Sequence, residues 1–265
     1  MDQAEQRWPA RAWILAAVGA AAGLGVHLAI NGASSNAAHW ANATFFLVAG
    51  MAFVLTAEQV RLGWSVGFAL AAGAIAAGIG WFTARYNSTP NLFEWPFFSA
   101  ILAILIAAPL FQTIRDEGRR SLPYGRVHRY AWTDAIIGGA SIAFTGLTFL
   151  MLTLLGELFH AIGVDLLQSL LREEWFDWML AGAAFGTAAA ILRERDELLG
   201  TLQKLVMAVF SILAPVLAAA ILLFLIAVPL TGFAGLWRSG LPETPLLLSM
   251  AAFAFVLLNA IVGDS

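Results

Sequence analysis

Long apolar stretches divided by short polar ones set the pattern of this chain. A helix needs roughly 20 mostly apolar residues to cross a hydrocarbon core of about 30 Å. Eight stretches reach or approach that length: Ala12–Ile30, Trp40–Ala57, Trp64–Thr83, Trp95–Gln112, Ala135–Gly163, Trp175–Leu192, Leu205–Phe233 and Pro245–Val262. Each is continuously apolar rather than alternating, which selects helices over the other spanning solution, a closed β-barrel. The pattern predicts an all-α fold, a polytopic transmembrane helical bundle of about eight spans. The first run, about 19 residues, exceeds a signal-peptide core of ~7–15 and is expected to stay as a span.

Composition agrees. Hydrophobic residues make up 60% of the chain and charged residues 12%. Soluble domains carry about twice that charge, so a soluble surface could not be covered, and disorder is excluded for the same reason. The net charge of −3 offers nothing to nucleic acid. With no Cys, there are no disulfides, thiolate metal sites or cysteine nucleophiles. All ten Trp fall within a few residues of an expected span end, where indole rings gather at membrane–water interfaces.

Charge placement orients the spans. With eight spans, one side holds eleven Lys and Arg (Arg7, Arg11, Arg61, Arg115, Arg119, Arg120, Arg126, Arg129, Arg193, Arg195 and Lys204). The other holds three, Arg85, Arg172 and Arg238. Basic residues are retained in the cytoplasm, so both termini are expected there. The longest polar connection, Thr113–Asp134, separates a four-helix half at 1–113 from a second at 135–265, with residues 114–134 as an Arg-rich cytoplasmic link. Arg115, Arg119, Arg120, Arg126 and Arg129 form a candidate surface for anionic lipid or a protein partner, although topology alone also explains them.

Small residues four apart let helices approach closely in lipid. They occur at Gly19 and Gly23, at Gly73 and Ala77, at Ala74 and Gly78, and at Gly182 and Gly186. Internal packing and homo-oligomer formation are both open to such faces. Between the fifth and sixth spans, Asp165, Gln168 and Arg172 share one side of Val164–Arg172 and leucines the other. That spacing predicts a short interfacial helix with Asp165 as its cap. Arg193 to Glu197 are expected to prolong the sixth span into the cytoplasm.

Ionisable groups within spans are the default functional candidates, and few exist. His27 lies late in the first span with Asn31 one turn on. Glu157 and His160 share a face of the fifth, near its outer boundary, which suits an interfacial ion pair, a proton-handling role or a metal ligand. One Glu-x-x-His pair is too little for the carboxylate-rich metal sites of helical proteins. Pro215 could break the seventh span beside a substrate path, and Asn259 could bond between helices. No phosphate-binding loop, H-E-x-x-H or G-x-S-x-G motif is present. The sequence assigns no catalytic residue, cofactor or metal, and enzyme readings are disfavoured.

The stretches Phe144–Gly163, Ala184–Leu198, Leu213–Trp237 and Leu257–Asp264, with Pro229, Thr231, Gly232 and Trp237 the most distinctive, recur in order in a known family. From Tyr124 to Asp264 the chain resembles the bacterial membrane family called domain of unknown function 4153. Members tend to carry Tyr and Gln after the Asn-Ala pair, where this chain has Ile261, Val262 and Gly263, and they usually run on beyond the equivalent of Ser265. The resemblance implies a polytopic bacterial inner-membrane protein and supplies no activity or site residues. Three functions are therefore weighed: a non-catalytic membrane partner in assembly or sensing; a small-solute transporter or channel, requiring a polar cavity near Pro215 and the threonines of the fifth span; and a membrane enzyme acting on lipid or glycan, requiring Glu157, His160 and Asp165 to converge.

Overall fold

A computed structural model describes residues 8, 10–32, 36–86, 95–117, 122–160 and 164–195, with scattered positions between 200 and 255. The described residues are helical apart from turns and short connections. In chain order the helices are α1 (Arg11–Ile30), α2 (Asn36–Thr56), α3 (Leu62–Tyr86), α4 (Trp95–Glu117), α5 (Tyr124–His160), α6 (Leu166–Leu170) and α7 (Glu174–Arg193). Five of them, α1, α2, α3, α5 and α7, are long and apolar enough to cross a membrane. The chain divides into compact units Met1–Leu199 and Gly200–Ser265. The expected spans Leu205–Phe233 and Pro245–Val262 fall in the second, where the scattered described positions are helical.

Within the first unit, spatial neighbours run α3, α2, α1, α7, α5, α4 and back to α3. The α1–α7 contact is antiparallel and built on glycine. A Cβ at Gly19 would collide with the carbonyl of Gly182, and one at Gly182 with that of Gly19. Gly23 meets the Trp178 carbonyl and Gly186 that of Leu15 in the same way. The two small-residue pairs thus serve each other, and backbone contact replaces side-chain interdigitation. On α3 the contact stripe differs from the expected one. Gly73 packs on Phe45 and Ala49, Gly80 on Thr44, and Ala69, Ala72 and Ala76 are buried between them. Ala74 and Gly78 face outward.

The Thr113–Asp134 connection is shorter than its polarity suggests. Helix α4 continues through Glu117 and α5 already begins at Tyr124. Polar residues continue these helices because their side chains find partners within the protein, described below. At 37 residues, α5 is about 55 Å long, well beyond the hydrocarbon thickness. The short helix expected after the fifth span is α6. Asp165 precedes it but makes no side-chain cap bond. Helix α7 ends at Arg193, with a turn at Glu194 where the sequence led us to expect more helix; Asp196 and Glu197 of the charged run lie outside the described residues.

Candidate functional site

The chemistry of the first unit concentrates at one end, where α2 stops. The last carbonyls of a helix lack intrahelical partners and carry its negative dipole end. Two guanidinium groups fill that role. Arg11 Nη2 donates to the Ala57 carbonyl at 3.1 Å, and Arg115 Nη1 donates to that of Thr56 at 2.6 Å. Arg115 arrives from the last turn of α4, and its side chain is only 3% exposed. It also donates to Ser65 Oγ at 3.1 Å, and it pairs with Glu58 at 2.6 Å and Asp116 at 2.7 Å. Ser65, at the start of α3, donates in turn to the Thr56 carbonyl at 2.7 Å. Its hydroxyl is therefore used as both donor and acceptor.

Helices α5 and α7 join the same network. Tyr130 Oη donates to Asp116 at 2.6 Å. Asp134, buried on α5, accepts from Gln112 of α4 and from Arg193 Nη2 of α7, the latter at 3.1 Å. Burying a charge is tolerable only when it is paired and hydrogen-bonded. Here Arg115 is paired with Glu58 and Asp116 and Arg193 with Asp134, while Arg11 bonds the Ala57 carbonyl. The arrangement ties α1, α2, α3, α4, α5 and α7 together at one level. Chemically it holds ends in register.

This placement changes the reading of the basic cluster. Arg115 is spent on internal partners rather than offered to a ligand. Arg126 pairs with Glu117 at 2.8 Å and is half-exposed, while Arg129 is exposed. Arg119 and Arg120 lie outside the described residues. Sequence reasoning missed Glu58, Ser65, Gln112, Tyr130, Asp134 and Arg193 as a set. The available signal was spacing: Gln112 with Arg115 and Asp116, and Tyr130 with Asp134, share helix faces at three- and four-residue steps.

At the far end of α5 the side chains are open. His160 Nδ1 pairs with Asp165 Oδ1, the two side chains being 55% and 67% exposed. Gln168 Nε2 donates to Glu157 Oε1 at 3.2 Å. The expected Glu157–His160 pair is not formed, because each reaches forward to the segment around α6 instead. His27 is held locally by Asn31, whose amide lies 3.1 Å from His27 Nδ1. Pro215 is helical and exposed, and Asn259 lies outside the described residues. No group of three or more metal-ligating side chains gathers among the described residues.

Midway between the two ends lies an open-sided cavity of about 410 Å³ lined by residues of α1, α2, α5 and α7. Its walls are apolar apart from Thr145, whose hydroxyl donates to the Ser141 carbonyl at 2.8 Å, and Trp178, whose indole carries an N–H donor. Thr148 and Thr153 likewise bond back to their own helix, at 2.9 Å each. No family model, no curated protein and no solved structure matches the chain.

Proposed function

We propose that the chain is a bacterial inner-membrane protein of about eight spans with both termini cytoplasmic, acting as a non-catalytic partner in a membrane assembly or sensory complex. The resemblance of residues 124–264 to domain of unknown function 4153 accords with that location. The observation that carries the functional reading is the division of polarity. The buried arginines Arg115 and Arg193 are ion-paired at one end, while the cavity at mid-depth is lined mainly by apolar residues. A solute path needs polar groups lining the mid-depth region, and the α5 hydroxyls nearest it are bonded to their own backbone. An enzyme would need converging groups in a shielded cleft, whereas His160 and Asp165 meet in the open. The charged end would then face the cytoplasm, leaving Arg126 and Arg129 at its surface for a protein or anionic headgroups.

The absence of Cys makes orientation directly testable. Arg129→Cys should label only from the cytoplasmic side, and Asp165→Cys only from the other. Function is tested by reconstituting the full chain in vesicles and by crosslinking it in native membranes. The reading expects no protein-dependent solute or ion flux, and a stoichiometric crosslinked partner weakened by Arg126→Ala with Arg129→Ala. Saturable flux would overturn it in favour of transport.

A further inference from the structure

We propose that His160 and Asp165 form a pH-sensitive latch that holds α6 on the end of α5 and closes more firmly in acid. The latch is local and does not depend on the function proposed above. It begins where the chain turns. The Val164 N–H donates to the Phe159 carbonyl at 2.9 Å, which starts the return as α5 ends. Of the described helices, α6 packs chiefly on α5. Gly156 of α5 is buried there. A Cβ on it would stand 3.7 Å from the Leu171 side chain and 3.9 Å from the Gln168 backbone, so it forms part of the seat. A helix of five residues is not stable alone in water, so α6 depends on this seat and on the side chains that tie it down.

Two ties cross from α5 to the α6 segment. Gln168 Nε2 donates to Glu157 Oε1 at 3.2 Å, and His160 Nδ1 pairs with Asp165 Oδ1. Only the second contains a group that ordinarily changes charge between pH 5 and 8. Both its side chains are exposed, so protons reach them from solvent. In acid, an imidazolium faces the Asp165 carboxylate as an ion pair. Glu157, three residues back on the same face of α5, adds a second anion. Above the imidazole range the ring is neutral, and only a hydrogen bond to one charged partner is left. Arg172 and Glu173 lie at the far end of the segment. Docking is therefore favoured as pH falls and loosened as pH rises. An exposed pair of this kind changes the ratio of docked to open α6 by about two- to fivefold. Segments open in this way without unfolding the helices behind them.

The surrounding surface responds over the same range. Helices α1 and α5 lead away from the Arg115 network and α2 returns to it. Three of the four histidines, His27, His39 and His160, thus stand at the opposite end. Among the described residues that end carries five carboxylates, between Glu157 and Asp177, against Arg85 and Arg172. Its charge moves from negative toward neutral as the imidazoles take up protons. The Arg115 end is built on arginines, which keep their charge throughout.

The test uses the full chain, which lacks Cys, with a nitroxide label on Leu166→Cys, an exposed position of α6. Electron paramagnetic resonance in detergent, with a chelator present, separates docked from open α6 as immobile and mobile components. From pH 8 to pH 5 the immobile-to-mobile ratio should rise about two- to fivefold. His160→Gln should hold the ratio at the alkaline level, and His160→Lys close to the acid level, at every pH. Asp165→Asn should remove most of the response, and His27→Gln should leave it unchanged. Circular dichroism checks the fold of each variant, and if Asp165→Asn misfolds the two His160 variants decide. The latch is refuted if the ratio is independent of pH or falls in acid, if His160→Gln keeps the wild-type response, or if His27→Gln abolishes it.

Discussion

The two ends of α5 treat charge in opposite ways. Near Asp134, charged groups are drawn between helices, and the Arg193 that pairs with it comes from 59 residues along the chain. Near His160, the partner Asp165 is five residues away and both side chains stand exposed. The first arrangement exists only when distant helices are already packed. The second forms whenever the chain turns after α5. Burial separates them energetically: an exposed ion pair contributes about 0–1 kcal/mol, whereas a buried one becomes costly when a single partner is lost. One end therefore reports on the whole helical unit and the other only on a local turn.

That contrast orders the expected consequences of mutation. Asp134→Leu leaves Arg193 buried without its carboxylate and should cost about 3–5 kcal/mol, measurable as an early thermal transition in detergent. Gly182→Val forces a side chain into the Gly19 carbonyl. Overpacking of this kind costs about 1–3 kcal/mol, and crosslinking between α1 and α7 should fall with it. Ser65→Ala removes a hydroxyl that serves both Arg115 and the Thr56 carbonyl, for about 1.5 kcal/mol. His160→Ala should change stability by no more than about 1 kcal/mol. A His160 variant as damaging as the Asp134 variant would break the comparison.

The sequence made the helices legible to differing degrees. The first span was expected from Ala12 and begins at Arg11, because an uninterrupted apolar run between polar flanks leaves little room for error. Its glycine pair was also visible, together with the matching pair on α7. What could not be read was which glycines meet which surface. Gly73 packs inward and Gly78 outward on the same helix, and spacing by four describes both faces equally.

The polar residues near span ends were harder. Arg115, Asp134 and Arg193 stand where headgroup solvation is the ordinary fate of a charge, so the two arginines read as topology markers and Asp134 as the end of a polar connection. Their recruitment inward depends on partners that sequence distance hides. The same coupling explains why α5 begins 11 residues before the expected Ala135. Tyr130 and Asp134 are anchored on α4 and α7, so the helix continues through a stretch whose composition resembles a loop. The small site near α6 was partly legible for the converse reason: its spacing is local. Even there, Asp165 binds His160 rather than capping α6, since the His ring on the preceding helix reaches it first.

The central claim is that the buried charges form a cooperative tie among distant helices. A double-mutant cycle on Asp134→Leu and Arg193→Met, read by thermal and chemical denaturation of the purified full chain, tests it most directly. The account predicts that the double variant recovers much of the stability lost in either single one, with a coupling energy of at least about 2 kcal/mol. Losses that simply add, within about 0.5 kcal/mol, would contradict it.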